Sequence, residues 1–424
     1  MAKEAKASIV GVGLTRFGNV LETPEIKGLS PYELACLAAF EALEDAGMEP
    51  KDIDVFFIGS MLSHTSNLYC HYSQMCDWLG LELKPGIHFE TACSTTNTGM
   101  GLAWMTVNSG RYKHVLVVGV EVLNSVQEQH PGIRKAVDPL DLWFWTDFGV
   151  DQAYAYTHAY DIASAYGAFP ALAYAKKYGL SIDKLEEVLF RIAKIVRLHA
   201  SMNPKAYVQK TLEDEGRELG YKDVWEFWRS KYNPYLAWPV RLRNALNVAD
   251  GASAYVIVPA DEARKYTDTP IDILGFHWSV KNFPWYYAGD ATIWASDAIA
   301  FKEAYRTAGI EPKDVDYLHV HDCMQSYWLT LGELSGYLPR GEAWKYVLEE
   351  RVAYNGDKPM TTSGGRHGMG HAFAASPGAE VYEAVKQMRG ECGRRQIRPE
   401  PEIVVLHNHG YGMHSAVTVL RRRS

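Results

Sequence analysis

Short β-branched runs alternate with longer alanine-rich stretches of helical spacing along this chain, and one such alternation occurs twice. Glu41–Ser60 (EALEDAGMEPKDIDVFFIGS) and Glu303–Asp322 (EAYRTAGIEPKDVDYLHVHD) align without a gap. Each predicts a helix, an Ala-Gly stop, a Glu-Pro-Lys-Asp turn and a strand. Gly47 and Gly309 suit helix C-termini, Pro50 and Pro312 prevent continuation, and IDVFFIG and VDYLHVH have the length and apolarity of buried strands. Strands alternating with helices imply an α/β fold with a mainly parallel sheet covered on both faces. A repeat about 260 residues apart implies two half-molecules related by duplication. The first half is expected over residues 1–124 plus 246–266 and the second over 267–424. Residues 125–245 form a Trp/Tyr-rich, mostly helical insertion between them.

Composition narrows the function classes. At 424 residues the chain exceeds one ordinary core. A hydrophobic fraction of 47% and a charged fraction of 22% are ordinary for a globular protein. The formal charge of −8 is spread out, so no basic face for nucleic acid is expected. No apolar run approaches the roughly 20 residues that cross a bilayer, and the N-terminus lacks a signal peptide's apolar core. Six cysteines without a CxxC pair suit free thiols in a reducing cytoplasm.

Candidate chemistry concentrates around Cys93, in HFETACSTTNTGMGLA. The thiol sits between a short strand-like run and a helical segment, where a helix N-terminus lowers a thiol's pKa. Ala92, Ser94, Thr95, Gly99 and Gly101 are small enough to admit a substrate close to the backbone. His371, in GGRHGMGHAFAAS, follows loop glycines 364, 365, 368 and 370 and precedes a helix, which suits a general base. His321 and Cys323, in HVHDCMQSYW, follow the second repeat's strand at the sheet edge where α/β proteins bind ligands. GVGLTRFG contains GxG, but its third glycine is misplaced for a dinucleotide fingerprint. HNH at 407–409 lacks the carboxylate cluster of a metal site, and no metal is expected. His409 and His414 are expected to be surface histidines, and His367 to lie outside the reactive cluster.

These motifs, in order, resemble those of the thiolase superfamily, especially archaeal and sterol-carrier-protein-type thiolases. The resemblance rests on SIVGVGLTRFG, ACSTTNTGMGLA, DGASAYVIV, HDC, GGRHGMGH and HNHGYG and covers nearly the whole chain. It implies the thiolase fold: duplicated βαβαβαββ halves in a five-layered αβαβα arrangement, with the insertion as a loop domain. It also implies Cys93 as nucleophile, His371 as its activating base, and His321 with Cys93 and Gly410 amides at oxyanion holes. Cys323 would be the second acid/base thiol, since the C-terminal loop carries Asn408 where other thiolases have a cysteine. Ala372 replaces the family's proline and is expected to loosen that loop. The implied reaction is CoA-dependent thiolysis of a 3-oxoacyl-CoA, or the reverse condensation, with CoA as co-substrate and a homodimeric assembly.

The insertion is where such enzymes cover the acyl group. Trp143, Trp145, Phe148, Tyr154 and Tyr156, together with WEFWRSKYNPYLAWPVRLR, suggest an aromatic acyl site, and Arg241 or Arg243 suits a carboxylate. Benzoylsuccinyl-CoA is the specific substrate expectation, with a small zinc-ribbon/OB-fold partner chain. Two rival readings are a thiolase-fold retro-aldolase for steroid side-chain CoA esters, which uses tyrosines, and a non-catalytic scaffold subunit. The retained Cys93, Cys323 and His371 argue against both.

Overall fold

The structure, a computed structural model, describes residues 4–65, 68–124, 167–281, 290, 292–410 and 414–423. Its strands are β1 (Ala7–Leu14), β2 (Val55–Gly59), β3 (Gly86–Phe89), β4 (Val115–Glu121), β5 (Tyr235–Ala237), β6 (Val240–Arg241), β7 (Gly251–Pro259), β8 (Ile271–Val280), β9 (Tyr317–His319), β10 (Ile403–Gly410) and β11 (His414–Arg422). Nine of them form one sheet in the order β3-β2-β4-β7-β1-β8-β11-β10-β9, while β5 and β6 make a separate ribbon. The order reads as two halves meeting at β1 and β8, which pair antiparallel only over Ala7–Ile9 and Ile271–Ile273. In place of β3, the second half has a single parallel bridge from Leu318 to Met360.

The sheet is mixed rather than mainly parallel. β2 is parallel to β3 and β4, and β9 to β10. The remaining pairings of the large sheet, β1–β7, β1–β8, β4–β7, β8–β11 and β10–β11, are antiparallel. The physical reason lies in the connections. β10 and β11 follow each other directly, and β7 follows the insertion, so neither β7 nor β11 is reached by the right-handed helical crossover that enforces parallel pairing.

Both repeats fold alike. The helices Pro31–Asp45 and Ala295–Ala308 end at left-handed Gly47 and Gly309 (φ 61° and 71°). A short turn follows each, closed by Glu49 N–H donating to Asp52 (2.9 Å) and Glu311 N–H donating to Asp314 (2.8 Å). These two helices cover the outer faces of the half-sheets, in separate apolar clusters. The helices Thr95–Asn108 and Ser376–Arg389 lie between the half-sheets; Met100, Ala103, Val381 and Val385 pack there against Val117, Tyr255, Ile273 and Val404. The layers therefore run helix, sheet, helices, sheet, helix. β1, β4 and β10 are buried along their full lengths, as strands covered on both faces must be.

The Gly-Val-Gly of β1 serves packing. A Cβ on Gly11 would lie 2.1 Å from the Ala42 carbonyl oxygen, and one on Gly13 2.0 Å from that of Ala38. Gly275 in β8 makes the corresponding approach to Ala304 of the second repeat's helix, at 2.6 Å. In the insertion, the helix Ile182–Ser201 buries one face against the body. Phe190, Phe227 and Trp228 form a small core of their own with Trp225 alongside, so these rings build the insertion. Trp143, Trp145, Phe148, Tyr154 and Tyr156 lie outside the described residues.

Because backbone oxygens cannot yield to a methyl group, Gly13→Ala is expected to lower the unfolding free energy by about 2–3 kcal/mol. Urea denaturation of the variant against the parent checks this.

Candidate active site

Cys93 lies in a short turn, Ala92–Ser94, directly before the helix Thr95–Asn108, after Ala92 in a left-handed conformation (φ 50°). His371 lies in the turn before the helix Ser376–Arg389. The starts of these two helices are stitched together by Thr96. Its hydroxyl donates to the Ala374 carbonyl and accepts from the Gly378 N–H, both at 2.7 Å. Ser253 of β7 donates to the Ala375 carbonyl at 2.7 Å, and Tyr255 donates to the Thr96 carbonyl. As a result His371 Nε2 stands 3.1 Å from Cys93 Sγ, and its Nδ1 stands 3.0 Å from Ser376 Oγ. A thiol, an imidazole and an orienting hydroxyl in line form a nucleophile–base arrangement.

His321 follows β9, and its ring centroid is 5.8 Å from that of His371. Cys323 is buried two residues on. The segment Asn244–Asp250 ties both loops. Leu246 N–H donates to the Cys323 carbonyl (2.8 Å), His371 N–H to the Asn247 carbonyl (2.7 Å), and Ala249 N–H to the His371 carbonyl (3.1 Å). The loop carrying Ala372 is thus held firmly rather than loosened. Gly364, Gly365 and Gly370 are left-handed, whereas Gly368 is not; a Cβ on Gly368 would lie 2.5 Å from that of Ala200 in the helix Ile182–Ser201. Gly410, at the end of β10, lies against the turn before Cys93: a Cβ there would be 2.3 Å from the Thr91 carbonyl oxygen.

The electrostatics reverse one expectation. Burial pushes the Cys93 thiol up to about 12; Arg366 pulls it down, while Glu90 and Glu121 push it further up. The helix N-terminus does not overcome that desolvation. Cys323 is raised by burial first and by Cys93 second. Burial, then the Arg366 charge, holds His371 and His321 well below the usual imidazole range. The resting pair is therefore a neutral thiol beside a neutral imidazole.

Other residues depart from their sequence reading. Arg241 is committed to Glu186 (2.8 Å), the Asn233 carbonyl (3.0 Å) and Tyr235 (2.7 Å), and Arg243 pairs with Glu215 at 2.5 Å; neither is a free carboxylate receptor. His409 is buried and stands 3.0 Å from Asp297, which His407 also meets at 2.7 Å. His414 meets Ser94 at 3.0 Å. In β10, alternation puts His407 and His409 on one face and Asn408 on the other, where it donates to Glu380 (2.6 Å). His367 turns away to the Ala245 carbonyl at 2.6 Å. The sequence reading missed Thr96, Ser376, Asp297, Arg366 and Glu380. Arg366 stood within a quoted motif, but nothing local marked it as buried. Among the described residues no cluster of three or more His, Cys, Asp or Glu is arranged to hold a metal, and no helix is long and apolar enough to cross a membrane.

Comparison with known proteins identifies the family and the fold. Residues 7–187 match the family model described as thiolase, N-terminal domain, and residues 287–422 the thiolase C-terminal domain-like model. The chain is 28% identical to the acetyl-CoA acetyltransferase of Methanothermobacter thermautotrophicus, covering 98% of this chain and 99% of the relative. It is 26% identical to the benzoylsuccinyl-CoA thiolase subunit BbsB of Thauera aromatica, covering 97% and 96%. Among solved structures, an Ltp2-ChsH2(DUF35) aldolase superposes with a TM-score of 0.77 at 21% identity, covering 98% of each chain. Human mitochondrial 3-ketoacyl-CoA thiolase gives 0.69 at 17%, covering 99% of each.

With Cys93 raised from 9.0 to about 12, the native state holds that proton more tightly than the unfolded chain does. Stability contributed this way is complete below pH 9 and is lost as pH rises through that window. Denaturation at pH 8 and pH 10.5 is expected to show the decline, and Cys93→Ala to flatten part of it.

Proposed function

Because the chain belongs to the thiolase superfamily, in its sterol-carrier-protein and archaeal branch, we propose that it is an acyltransferase that cleaves a 3-oxoacyl-CoA with CoA, or runs the reverse condensation. The observation that carries this reading is the 3.1 Å approach of Cys93 Sγ to His371 Nε2. Cys93 attacks the keto carbon while its proton passes to His371. The Cα–Cβ bond breaks, and its electron pair becomes the enolate of the departing acyl-CoA. We assign His321 and the Gly410 and Cys93 amides as the donors to these oxygens, and preorganised donors of this kind contribute about 3 kcal/mol each. Cys323 gives the enolate a proton. It then takes one from the incoming CoA thiol, whose sulfur displaces Cys93 from the acyl group, and His371 returns the proton to Cys93. Protons and charge balance over the cycle.

An aromatic acyl group such as benzoylsuccinyl remains our substrate reading. It is supported by the likeness to BbsB; the rings singled out for it lie outside the described residues. BbsB is named as a subunit and the Ltp2 structure carries a DUF35 partner, which supports a small partner chain here, alongside a homodimer.

The test is mass spectrometry of the protein incubated with acyl-CoA, joined to a CoA-dependent cleavage assay over aliphatic, aromatic and steroid 3-oxoacyl thioesters, with and without the partner. An acyl adduct confined to the Cys93 peptide is expected. Cys93→Ala should abolish both adduct and turnover, and His371→Ala should lower turnover by roughly 10²–10⁴-fold, the usual worth of a positioned base. Carbon–carbon cleavage that persists in Cys93→Ala without CoA would replace this reading with the retro-aldolase.

A further inference from the structure

Behind His371 lies a buried charge pair that the reaction as described leaves unused. Arg366 and Glu380 have side chains only 3% and 4% exposed, with Nη2 and Oε1 2.5 Å apart. The approach is not aligned as a hydrogen bond: Arg366 Nε and Nη2, Glu380 Oε1 and His319 Nδ1 have no hydrogen-bond partner among the described residues. Both ends of the pair are fixed from outside it. The Arg366 N–H donates to Asp322 Oδ1 (2.7 Å), beside His321 and Cys323, and Asn408 holds the other Glu380 oxygen (2.6 Å). Arg366, Glu380, His319, Ser363 and Ser376 line one internal cavity of about 10 Å³, room for a single water. Ser376 is the residue that holds His371. Arg366 thus shares a water-sized gap with Ser376, the residue that meets His371, and its hydrogen-bonding capacity is only partly spent.

We propose that Arg366 is a positioning residue that favours the Cys93 thiolate through its buried charge, and that Glu380 sets how much of that charge the sulfur feels. The physical need is plain, since a thiol desolvated this strongly gains its anionic form only where a fixed cation offsets the lost hydration. The titratable and charged groups around Cys93 are Glu90 on its own loop, Glu121 at the end of β4, His371 and Cys323 on the facing loops, and Arg366. Arg366 is the cation of that set. Both carboxylates oppose it, and Glu380 is its contact partner. The inference rests on Cys93 being the nucleophile, yet its test needs no substrate, so the two readings fail separately.

The experiment measures alkylation of the full chain by iodoacetamide, followed at the Cys93 peptide by mass spectrometry from pH 7 to pH 10. Parent, Arg366→Gln, Arg366→Lys and Glu380→Gln are compared, with melting curves to verify folding. At pH 9, Glu380, which burial raises to about 8, is mostly ionised. There Arg366→Gln is expected to slow Cys93 alkylation about tenfold, equivalent to one unit in the thiol's titration. Arg366→Lys should recover most of the rate, and Glu380→Gln should exceed the parent. Opposite signs for the two charge-removing variants are the signature, because a merely structural role would move both the same way. Rates that change together, or that do not change, overturn the proposal. If Arg366→Gln does not fold, a Glu380→Gln rate at or below the parent's overturns it alone.

Discussion

One buried hydroxyl holds the site together. Thr96 belongs to the first half's central helix, yet it satisfies an N–H and a carbonyl at the start of the second half's central helix. Helix starts carry unpaired N–H groups that must find partners when buried, and here the partner comes from the other half of the molecule. The two halves are locked in register at the point where a thiol and an imidazole meet. The neighbouring small residues follow from that closeness. A Cβ on Gly119 would lie 2.2 Å from Thr96, and one on Gly378 2.1 Å from Ser253.

That closeness has an electrostatic cost. Burial raises both thiols, although Cys93 keeps partial exposure, and it lowers His321 and His371, so each of these four groups rests in its neutral form. A neutral thiol–imidazole pair suits a reaction in which negative charge is created only during attack, against groups already in place. The buried carboxylates Asp297 and Glu380 are held by side chains from β10. This one strand therefore meets a carboxyl group on each of its faces and brings Gly410 against the turn that carries Cys93. The segment Asn244–Asp250 does comparable work for the two loops of the second half, hydrogen-bonding to each in turn.

Much of this was legible in one dimension because the duplication repeats local physics. The helix stop, the Glu-Pro-Lys-Asp turn and the strand after it are short-range features, and both copies fold as their residues dictate. Cys93 and His371 were legible as candidates for the same reason: each sits at a loop-to-helix junction with small residues around it. The sheet's mixed direction was not, because strand pairing depends on which connection reaches which edge. Nor were Arg241 and Arg243, whose carboxylate partners lie 55 and 28 residues away. His409 likewise gave no sign of burial, since alternation along β10 assigns faces but does not say what covers them.

The amino-acid order by itself determined the repeated helix–turn–strand units, the candidates for nucleophile and base, and the superfamily to which the chain belongs, since each depends on residues close together in the chain or on motif order. Only the tertiary structure decided that the thiol is raised rather than lowered, that Ser376 meets His371 while Thr96 ties together the two helix starts, and that Arg366 is buried. Those outcomes depend on desolvation and on contacts between residues hundreds of positions apart, which no local pattern encodes.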